Sequence, residues 1–413
     1  MGQAAEKARM VKQASLQMKQ VLTRKKNQAL LALSELLVEN EQELLAQNAR
    51  DVENARQRGV KDALVDRLAL TSPRIRDMGA SCRHIMALKD PVGEVFDSFV
   101  REDGLRIEKI RVPIGAIGII YESRPNVTVD ATILALKTGN AVLLRGGSDA
   151  LYSNLALANL VKRSLQQAEL PASAVEIIED PDRELVGEML RQRGVLDLVI
   201  PRGSSSLISR VVEQSQVPVL ETGVGVCHIF VDESAQLQKS IRVVDNAKTQ
   251  RPGTCNTLET LLVHAAIAPR FLPALKRALD EKNVELRGCP RTLDILDIAP
   301  ATEQDWDTEY LDLVLSIRIV DSVDEAIDHV QRHSTSHSDS ILSENYRNIQ
   351  LFLQRVDSAA VYVNASTRFT DGGEFGFGAE MGISTQRLHA RGPVGLRELT
   401  TYKYLVHGDY HVR

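Results

Sequence analysis

The sequence predicts an α/β fold with a parallel sheet covered by helices on both faces. From Gly115 onward, short apolar stretches alternate with helical stretches, which is the pattern of right-handed βαβ units. The 413 residues are 43% hydrophobic and 25% charged, as is usual for globular chains. A chain of this length forms two or three domains. These observations exclude a disordered or collagen-like chain.

Helices are predicted at the start of the chain. Residues 1 to about 60 carry leucines at helical spacing among Lys, Gln and Glu. Ser72 and Pro73 predict the start of another helix, which has to end before Pro91. The stretch 105–112 then alternates apolar and charged residues, which predicts an antiparallel strand with one face in solvent. The edge of this strand needs a partner, so we expect at least a dimer.

The remaining elements follow the βαβ pattern. Gly139 and Asn140 predict the end of a helix that begins near Val127. The segment 366–395 is rich in Gly, Arg and Phe without periodicity, which predicts a long functional loop. The predicted strands are 116–120, 141–144, 174–178, 196–200, 217–220 and 228–231, followed beyond Cys255 by 259–263, 313–320, 338–342 and 360–364.

The charge balance excludes two classes of partner. Lys and Arg number 50 against 55 Asp and Glu, so the net charge of -5 argues against wrapping a nucleic acid or coating an anionic membrane. The longest apolar runs are far shorter than the roughly 20 residues that span a bilayer, so we expect no transmembrane helix. The first residues lack the apolar core of a secretory signal. We therefore expect a cytoplasmic protein.

Cysteine and histidine spacing predicts free thiols and no metal site. The four cysteines form no CxxC pair, which suits a reducing compartment. His333 and His337 are four residues apart but lie in a Ser/Thr-rich stretch, which predicts a polar loop rather than a pair of metal ligands on a helix.

Two Gly/Ser-rich turns, each between a predicted strand and a predicted helix, could bind phosphate. The turns at 144–148 and 200–206 aim backbone N–H groups and a helix dipole at any ligand, and each supplies an arginine, Arg145 or Arg202. Neither turn matches GxGxxG, and either could be a plain helix cap. As a pair in one parallel sheet they favour a dinucleotide bound across its carboxyl edge. The predicted contacts are Arg145, Gly146, Gly203 and Ser204.

Cys255 is the candidate nucleophile. It follows an amphipathic helix and a Pro-Gly break and precedes an apolar strand, so it lies on a constrained turn of the kind that displays reactive groups. Nearby cations such as Lys248 and Arg251 could raise the fraction of reactive thiolate. A single cysteine is more often a buried apolar residue, and that interpretation is kept for the other three. No His/Asp motif accompanies Cys255, which disfavours a protease-like dyad.

Sequence motifs of one family are spread over nearly the whole chain. They begin at Tyr121 (YESRPNVTVD), Lys137 (KTGNA), Leu144 (LRGG), Ile200 (IPRGS), Gly225 (GVCH), Gln250 (QRPGTCNT), Tyr362 (YVNASTRFTDGG) and Leu388 (LHARGPV). With these motifs the chain resembles the gamma-glutamyl phosphate reductases, also called glutamate-5-semialdehyde dehydrogenases, of the aldehyde dehydrogenase superfamily.

The resemblance implies an activity and a set of catalytic roles. The reaction would be NADPH-dependent reduction of L-glutamate 5-phosphate to the 5-semialdehyde with release of phosphate, in proline biosynthesis. Cys255 would form a thioester, and Asn126 would donate to the oxyanion, although it could also be a helix cap. Glu309 would hold the nicotinamide ribose, unless it is a solvated surface glutamate. Arg145 stands where a lysine contacts the adenosine ribose, which favours NADPH.

The same resemblance implies the substrate contacts, the domains and the partners. The substrate carries a carboxylate, an amine and a phosphate, so cationic donors are expected, although some could instead hold the long loop together. A homodimer or homotetramer and functional coupling to glutamate 5-kinase are expected. The substrate candidates are Arg124, Lys248, Arg251, Asn364, Ser366, Arg368, His389 and Arg391. The expected domains are 1–96 with 113–247 for NADP binding, 248–395 for catalysis, and 97–112 with 396–413 for oligomerisation.

Two alternatives remain open from the sequence. Glu221 resembles the glutamate with which hydrolytic aldehyde dehydrogenases activate water, so oxidation of an aldehyde to an acid is chemically possible. We interpret Glu221 as a bystander because the residues after it follow the reductase pattern. A nucleotide-binding scaffold without turnover is the second alternative.

Overall fold

A computed structural model describes residues 2–60 and 62–413. The helices are α1 (Gln3–Met18), α2 (Thr23–Glu39), α3 (Glu41–Gln57), α4 (Asp62–Leu68), α5 (Ser72–Ala87), α6 (Asn126–Lys137), α7 (Leu151–Gln167), α8 (Glu184–Leu190), α9 (Ser205–Gln214), α10 (Leu237–Thr249), α11 (Ala268–Asp280), α12 (Pro290–Leu293), α13 (Val323–His333) and α14 (Tyr346–Arg355).

The strands alternate with these helices through most of the chain. They are β1 (Val95–Val100), β2 (Arg106–Pro113), β3 (Ala116–Tyr121), β4 (Ala141–Gly146), β5 (Val175–Ile177), β6 (Leu198–Arg202), β7 (Cys227–Val231), β8 (Leu258–His264), β9 (Glu285–Gly288), β10 (Ala299–Pro300), β11 (Val314–Val320), β12 (Ser338–Leu342), β13 (Ala360–Val363), β14 (Ile383–Ser384), β15 (Gly392–Pro393) and β16 (Thr400–His407). The predicted α/β fold is confirmed.

The chain divides into two compact units. Unit 1 consists of the described residues up to Thr222 together with Phe377–Gly382 and Val394–Arg413, and unit 2 consists of Gly223–Gly376 and Ile383–Pro393. The boundary after Thr222 lies earlier in the chain than the predicted limit at 247.

Unit 1 contains a parallel sheet with the strand order β5–β4–β3–β6. All six residues of β3 are buried, as expected for a strand that has helices on both faces. Tyr121 at the end of β3 lies opposite Gly146 of β4 and Arg202 of β6. The carboxyl ends of these three strands therefore lie side by side, which brings the two Gly/Ser-rich turns to the same edge of the sheet.

Local sequence accounts for the helix ends of unit 1. Helix α5 begins at Ser72 as predicted, but its cap is Thr71, whose side chain accepts a hydrogen bond from the Arg74 N–H. Helix α6 ends at Lys137, and Gly139 follows with φ +72°, a left-handed conformation that favours glycine. The predicted end of this helix is confirmed.

The predicted strand at 217–220 is wrong. Among the described residues, this stretch forms only an isolated bridge between Val199 and Val219. Pro218 interrupts the stretch, and because proline has no N–H group it cannot donate to a ladder of strand hydrogen bonds.

An antiparallel sheet of unit 1 has the order β1–β2–β16. The strand predicted at 105–112 is β2, but it lies in the centre of this sheet, so the expectation that it is an edge is wrong. The edges are β1 and β16, and β16 pairs with β2 along its whole length, from Thr400 to His407.

Unit 2 contains a parallel sheet with the order β10–β9–β11–β8–β7–β12–β13. Alternate strand residues contribute to two apolar cores. Ile229 and Leu261 pack in the core that contains α10 and α11, whereas Phe230 and Leu262 pack in the core that contains α13 and α14. Unit 2 thus has a layer of helices on each face of its sheet.

No helix in the described part of the chain is long and apolar enough to cross a membrane. In the same residues, no group of three or more His, Cys, Asp or Glu side chains is arranged to hold a metal ion.

Candidate active site

A cavity of about 890 Å³ lies in unit 1 at the carboxyl ends of β3 and β4. Its volume is in the range of ligand pockets, and its position matches the edge at which open parallel sheets bind their ligands. Its charged lining residues are Glu122, Arg145, Asp149, Arg183, Glu184, Arg191 and Arg210. Four arginines against three acidic residues give the cavity a small excess of positive charge, which suits an anionic ligand.

The two Gly/Ser-rich turns contribute to this cavity, but the predicted contacts Gly146, Gly203 and Ser204 are not among its lining residues. Gly147 and Ser148 of the first turn line it, as does Ser206 in the first turn of α9. Gly146 packs closely on α7, since a Cβ there would lie 2.1 Å from the Asn154 side-chain nitrogen. Ser204 caps α9 by accepting a hydrogen bond from the Leu207 N–H.

The N-terminus of α9 donates to a carboxylate of the chain itself. The Ser204 N–H donates to Glu122 Oε2 at 2.8 Å. A Cβ at Gly203 would lie 2.4 Å from the same oxygen, so a larger residue at this position would displace the Glu122 carboxylate. Glu122 therefore occupies a position at which helix N-termini bind anions.

Arg145 holds a neighbouring loop. Its guanidinium donates to the Pro181 carbonyl oxygen at 2.7 Å and to the Gly146 carbonyl oxygen, and only 7% of the residue is exposed. Burial lowers the pKa of this guanidinium. The exposed cations of the cavity are Arg183, Arg191 and Arg210, which the sequence analysis did not single out. That these three arginines line one cavity follows from the tertiary fold and leaves no signal in the local sequence.

Asn126 is the first residue of α6 in unit 1. Its side-chain nitrogen donates to Asp130 Oδ2 at 2.8 Å, one helical turn further along. Burial raises the pKa of the Asp130 carboxyl, with the Asn126 hydrogen bond and the charge of Arg202 opposing that rise. The N-cap of α6 is Pro125, without a side-chain hydrogen bond, so the alternative of Asn126 as a helix cap is wrong.

Cys255 lies in unit 2 on the turn between α10 and β8, where the sequence predicted a displayed thiol. It is half-buried, whereas Cys82, Cys227 and Cys289 are buried. The turn is tied together by the hydroxyl groups of Thr254 and Thr257, which both donate to the Arg251 carbonyl oxygen at 2.9 Å. The distinction drawn from sequence between Cys255 and the other cysteines is confirmed by their burial.

The backbone of Gly225 contacts the residue that carries this thiol. A Cβ at Gly225 would lie 1.4 Å from the Cys255 carbonyl oxygen, so any larger residue would displace the turn. The Gly225 N–H donates to Glu309 Oε1 at 2.7 Å. Burial raises the pKa of the Glu309 carboxyl, and its partner and partial burial show that it is not a solvated surface glutamate.

Arg368 is fixed beside the Cys255 turn. It donates to Gln250 Oε1 at 2.8 Å, to Thr254 Oγ1 at 3.0 Å and to Asn256 Oδ1. Burial lowers the pKa of this guanidinium, the charge of Arg251 lowers it further, and the Cys255 thiol acts in the opposite direction. Arg368 therefore lies near the Cys255 thiol, and Arg251 lies near Arg368.

Lys248 does not have the position that the sequence analysis expected. Its ammonium is completely buried and donates to Glu259 Oε2 at 2.5 Å and to the Leu258 carbonyl oxygen at 2.9 Å. Burial lowers the pKa of the Lys248 ammonium. Because its charge is paired with Glu259 and shielded from solvent, Lys248 is not available to contact a substrate.

Several other substrate candidates are engaged in structural contacts. Asn364 exchanges two hydrogen bonds with the backbone of Ser343, and Arg391 pairs with Asp357 at 2.8 Å. Ser366 accepts a hydrogen bond from the Arg368 N–H and so caps a short 3-10 turn. The remaining candidates are exposed, Arg124 in unit 1 and His389 in unit 2.

Comparisons with known proteins agree on one family. Residues 1–287 match the model of the aldehyde dehydrogenase family. The gamma-glutamyl phosphate reductase of Kosmotoga olearia is 59% identical over 413 residues and covers 100% of both chains. The crystal structure of gamma-glutamyl phosphate reductase from Thermotoga maritima has a TM-score of 0.98 and 61% identity, with 100% of each chain covered.

A more distant solved structure shares the fold. An engineered glycolyl-CoA reductase with bound NADP+ has a TM-score of 0.70 at 16% identity, with 98% of this chain and 96% of that chain covered.

Proposed function

The chain belongs to the aldehyde dehydrogenase family, among the gamma-glutamyl phosphate reductases, and on that basis we propose which of its residues carry the reaction. It is an oxidoreductase that reduces L-glutamate 5-phosphate to L-glutamate 5-semialdehyde, a step of proline biosynthesis. The assignment of residues depends most on one observation. Cys255 is a half-buried thiol on a constrained turn with Arg368 beside it, whereas the other three cysteines are buried.

The proposed chemistry passes through a thioester on Cys255. The thiolate attacks the acyl carbon, the bond from that carbon to the phosphate oxygen breaks, and phosphate leaves. NADPH, when bound, would supply the hydride that reduces the thioester to the aldehyde, and breaking the carbon–sulfur bond would then return the Cys255 thiolate. Asn126 supplies a side-chain N–H to the oxyanion, because its amide cannot lose a proton under these conditions.

The cavity of unit 1 fits the phosphates of NADPH. Its position at the carboxyl edge of the sheet and its exposed arginines, Arg183, Arg191 and Arg210, suit an anionic dinucleotide. Glu309 is proposed to hold the nicotinamide ribose, and its carboxylate is already oriented by the Gly225 N–H. Preference for NADPH over NADH is part of this proposal.

Arg251 and Arg368 are the proposed ligands for the anionic groups of the substrate. Arginine binds carboxylate and phosphate through paired N–H donors, and both side chains lie near the Cys255 turn. Arg124, Ser366 and His389 remain secondary candidates. We also propose a cytoplasmic homo-oligomer, supported by four free cysteines and by the exposed apolar edges of the antiparallel sheet, with glutamate 5-kinase as a functional partner.

The reverse reaction tests this proposal. Purified protein is given glutamate 5-semialdehyde and NADP+, and NADPH formation is followed with and without phosphate. Formation of an acyl phosphate requires phosphate, so the rate has to depend on it. Equal turnover without phosphate indicates the hydrolytic dehydrogenase instead, with Glu221 as the candidate base.

The Cys255→Ser variant separates an enzyme from a binding scaffold. We expect loss of turnover by at least about 10³-fold and loss of rapid labelling by iodoacetamide, with NADPH binding retained. Cys289→Ala is the matched control and is expected to keep turnover. A parent protein that binds NADPH but shows no turnover contradicts the proposal.

A further inference from the structure

We propose that Cys227 is a positioning residue that fixes Cys255 by donating its S–H to the Cys255 carbonyl oxygen. Cys227 is the first residue of β7 and is completely buried. Its Sγ lies 3.2 Å from that oxygen. This inference rests on the proposed role of Cys255 as the nucleophile and goes beyond it, since it assigns a function to a second cysteine.

The Cys255 carbonyl contacts the entry of β7 at two residues. The backbone of Gly225 packs against it, since a Cβ there would come within 1.4 Å of the oxygen. The thiol of Cys227, two residues further along the chain, lies 3.2 Å from the same oxygen. The peptide that follows Cys255 therefore has little freedom to rotate, which in turn limits the directions available to the reactive side chain.

The thiol of Cys227 is suited to act as a permanent donor. Burial raises the pKa of this thiol well above its usual range, so it keeps its proton and does not compete with Cys255 as a nucleophile. A buried thiol is a weak donor, but it is small enough to fit where the strand and the turn meet.

A series of polar side chains in contact with one another begins at Cys227. His337 Nδ1 lies 3.8 Å from Cys227 Sγ and 2.8 Å from Ser338 Oγ. Ser338 Oγ is 2.6 Å from Thr370 Oγ1, which is in turn 2.7 Å from the hydroxyl of Tyr362. Thr370 also accepts a hydrogen bond through its carbonyl oxygen from the Asn256 side chain, next to the nucleophile.

These contacts connect Cys227 to Asn256, the residue that follows Cys255. Burial lowers the pKa of the His337 imidazole to about 4, so the ring is neutral near pH 7. The titratable groups that act on or respond to Cys227 are Lys248, Cys255, Glu259, His337, Asp339, Tyr362 and Arg368. The strand entry from Gly225 to Cys227 also binds Glu309, so one short segment orients both Cys255 and the proposed ribose ligand.

Two variants of Cys227 test the inference. Cys227→Ala removes the donor, and we expect kcat to fall by roughly 10-fold with KM changed less than about 2-fold, because substrate groups are not touched. Cys227→Ser restores a donor and is expected to recover most of kcat. Cys289→Ala removes another buried thiol of unit 2 and is expected to leave kcat unchanged.

The pH dependence of Cys255 alkylation gives a second readout. In Cys227→Ala we expect Cys255 to react with iodoacetamide at a slower limiting rate, and we expect the midpoint of its alkylation–pH curve to be displaced. If Cys227 had a purely structural role, its replacement would lower only the thermal unfolding temperature. A Cys227→Ala protein with the kcat and alkylation profile of the parent overturns the inference.

Peptide mapping of the parent keeps the test decisive if Cys227→Ala fails to fold. At pH 9 in folded protein, iodoacetamide is expected to label Cys255 and to leave Cys227 unlabelled. Labelling of Cys227 at a comparable rate overturns the inference. Turnover by Cys255→Ser would instead overturn the proposed function, so the two failures are distinguishable.

Discussion

Lys248 and Glu259 form an ion pair with no exposed side-chain surface. Glu259 also accepts a hydrogen bond from the N–H of Leu311, two residues after Glu309 in the chain. The pair therefore connects α10, the start of β8 and the segment that carries the proposed ribose ligand. Burial raises the pKa of the Glu259 carboxyl to about 7, and the charge and hydrogen bond of the nearby Lys248 ammonium oppose that rise.

Removing one partner of this pair is expected to be costly. Lys248→Met leaves the Glu259 charge buried without a partner, so the free energy of unfolding should fall by about 3–5 kcal/mol in urea denaturation. The double variant Lys248→Met with Glu259→Leu should recover most of this loss. Lys276→Met, in the exposed pair with Asp280, should cost less than about 0.5 kcal/mol. Equal costs for the two single variants contradict the prediction.

Single residues differed in how well their roles could be predicted. Cys255 was recognisable because Pro252 and Gly253 break the chain just before it, whereas the other cysteines lie in or beside regular elements. Lys248 was misread because its partner Glu259 lies on the far side of the turn. A glutamate within the apolar strand β8 was the available signal, since a charge in a buried strand requires a partner.

The antiparallel sheet of unit 1 exposes apolar side chains on its two edge strands. Phe99 and Val100 on β1 are 53% and 63% exposed, and Tyr404 and Val406 on β16 are 56% and 57% exposed. Edge strands with this composition attract a partner, and the proposed homo-oligomer would cover them.

Charged substitutions on β16 test this role of the sheet. We expect Tyr404→Lys with Val406→Lys to reduce the molar mass in solution to that of one chain, measured by light scattering after gel filtration. Tyr346→Lys replaces a tyrosine that is 76% exposed on α14 and should leave the mass unchanged. A double variant that keeps the parent's mass shows that other surfaces hold the oligomer together.

Elements were predicted well where local patterns decide them. The alternation at 105–112 predicted a strand, whereas its grouping with 396–413 came from the family resemblance, because pairing with β16 almost 300 residues later leaves no local signal. The failed strand at 217–220 shows the opposite case, because Pro218 was a local signal against it.

Buried neutral histidines make the whole molecule sensitive to acid. Burial lowers the pKa of His337 to about 4 and the pKa of His329 well below its usual range. Unfolding returns both rings to a pKa of about 6.5. The unfolded state then binds more protons below that pH, so the stabilisation is complete above about pH 6.5 and is lost as the pH falls towards 4.

Urea unfolding at pH 7 and pH 5 measures this effect. Each histidine should contribute a loss of about 2 kcal/mol at pH 5 relative to pH 7. His329→Gln should therefore reduce the difference between the two pH values, whereas His411→Gln, at an exposed position, should not. An unchanged pH dependence in His329→Gln contradicts the expectation.

The domain limits depend on which sheet each strand joins, and the local sequence does not determine this. The stretch 228–231 has the character of a parallel strand, and the predicted limits of 113–247 place it in the NADP-binding domain. In the structure it is β7, which pairs with β8 and β12 of unit 2. Which sheet a buried strand joins depends on tertiary packing, so the functional limits of the domains stay a prediction.

The pairing of β2 with β16 has a consequence for synthesis on the ribosome. Residues 223–376 emerge from the exit tunnel before the strand that completes the antiparallel sheet of unit 1. The nascent chain therefore has to keep β1 and β2 unaggregated while all of unit 2 is translated. Completion of this sheet thus waits for β16, which is translated after unit 2.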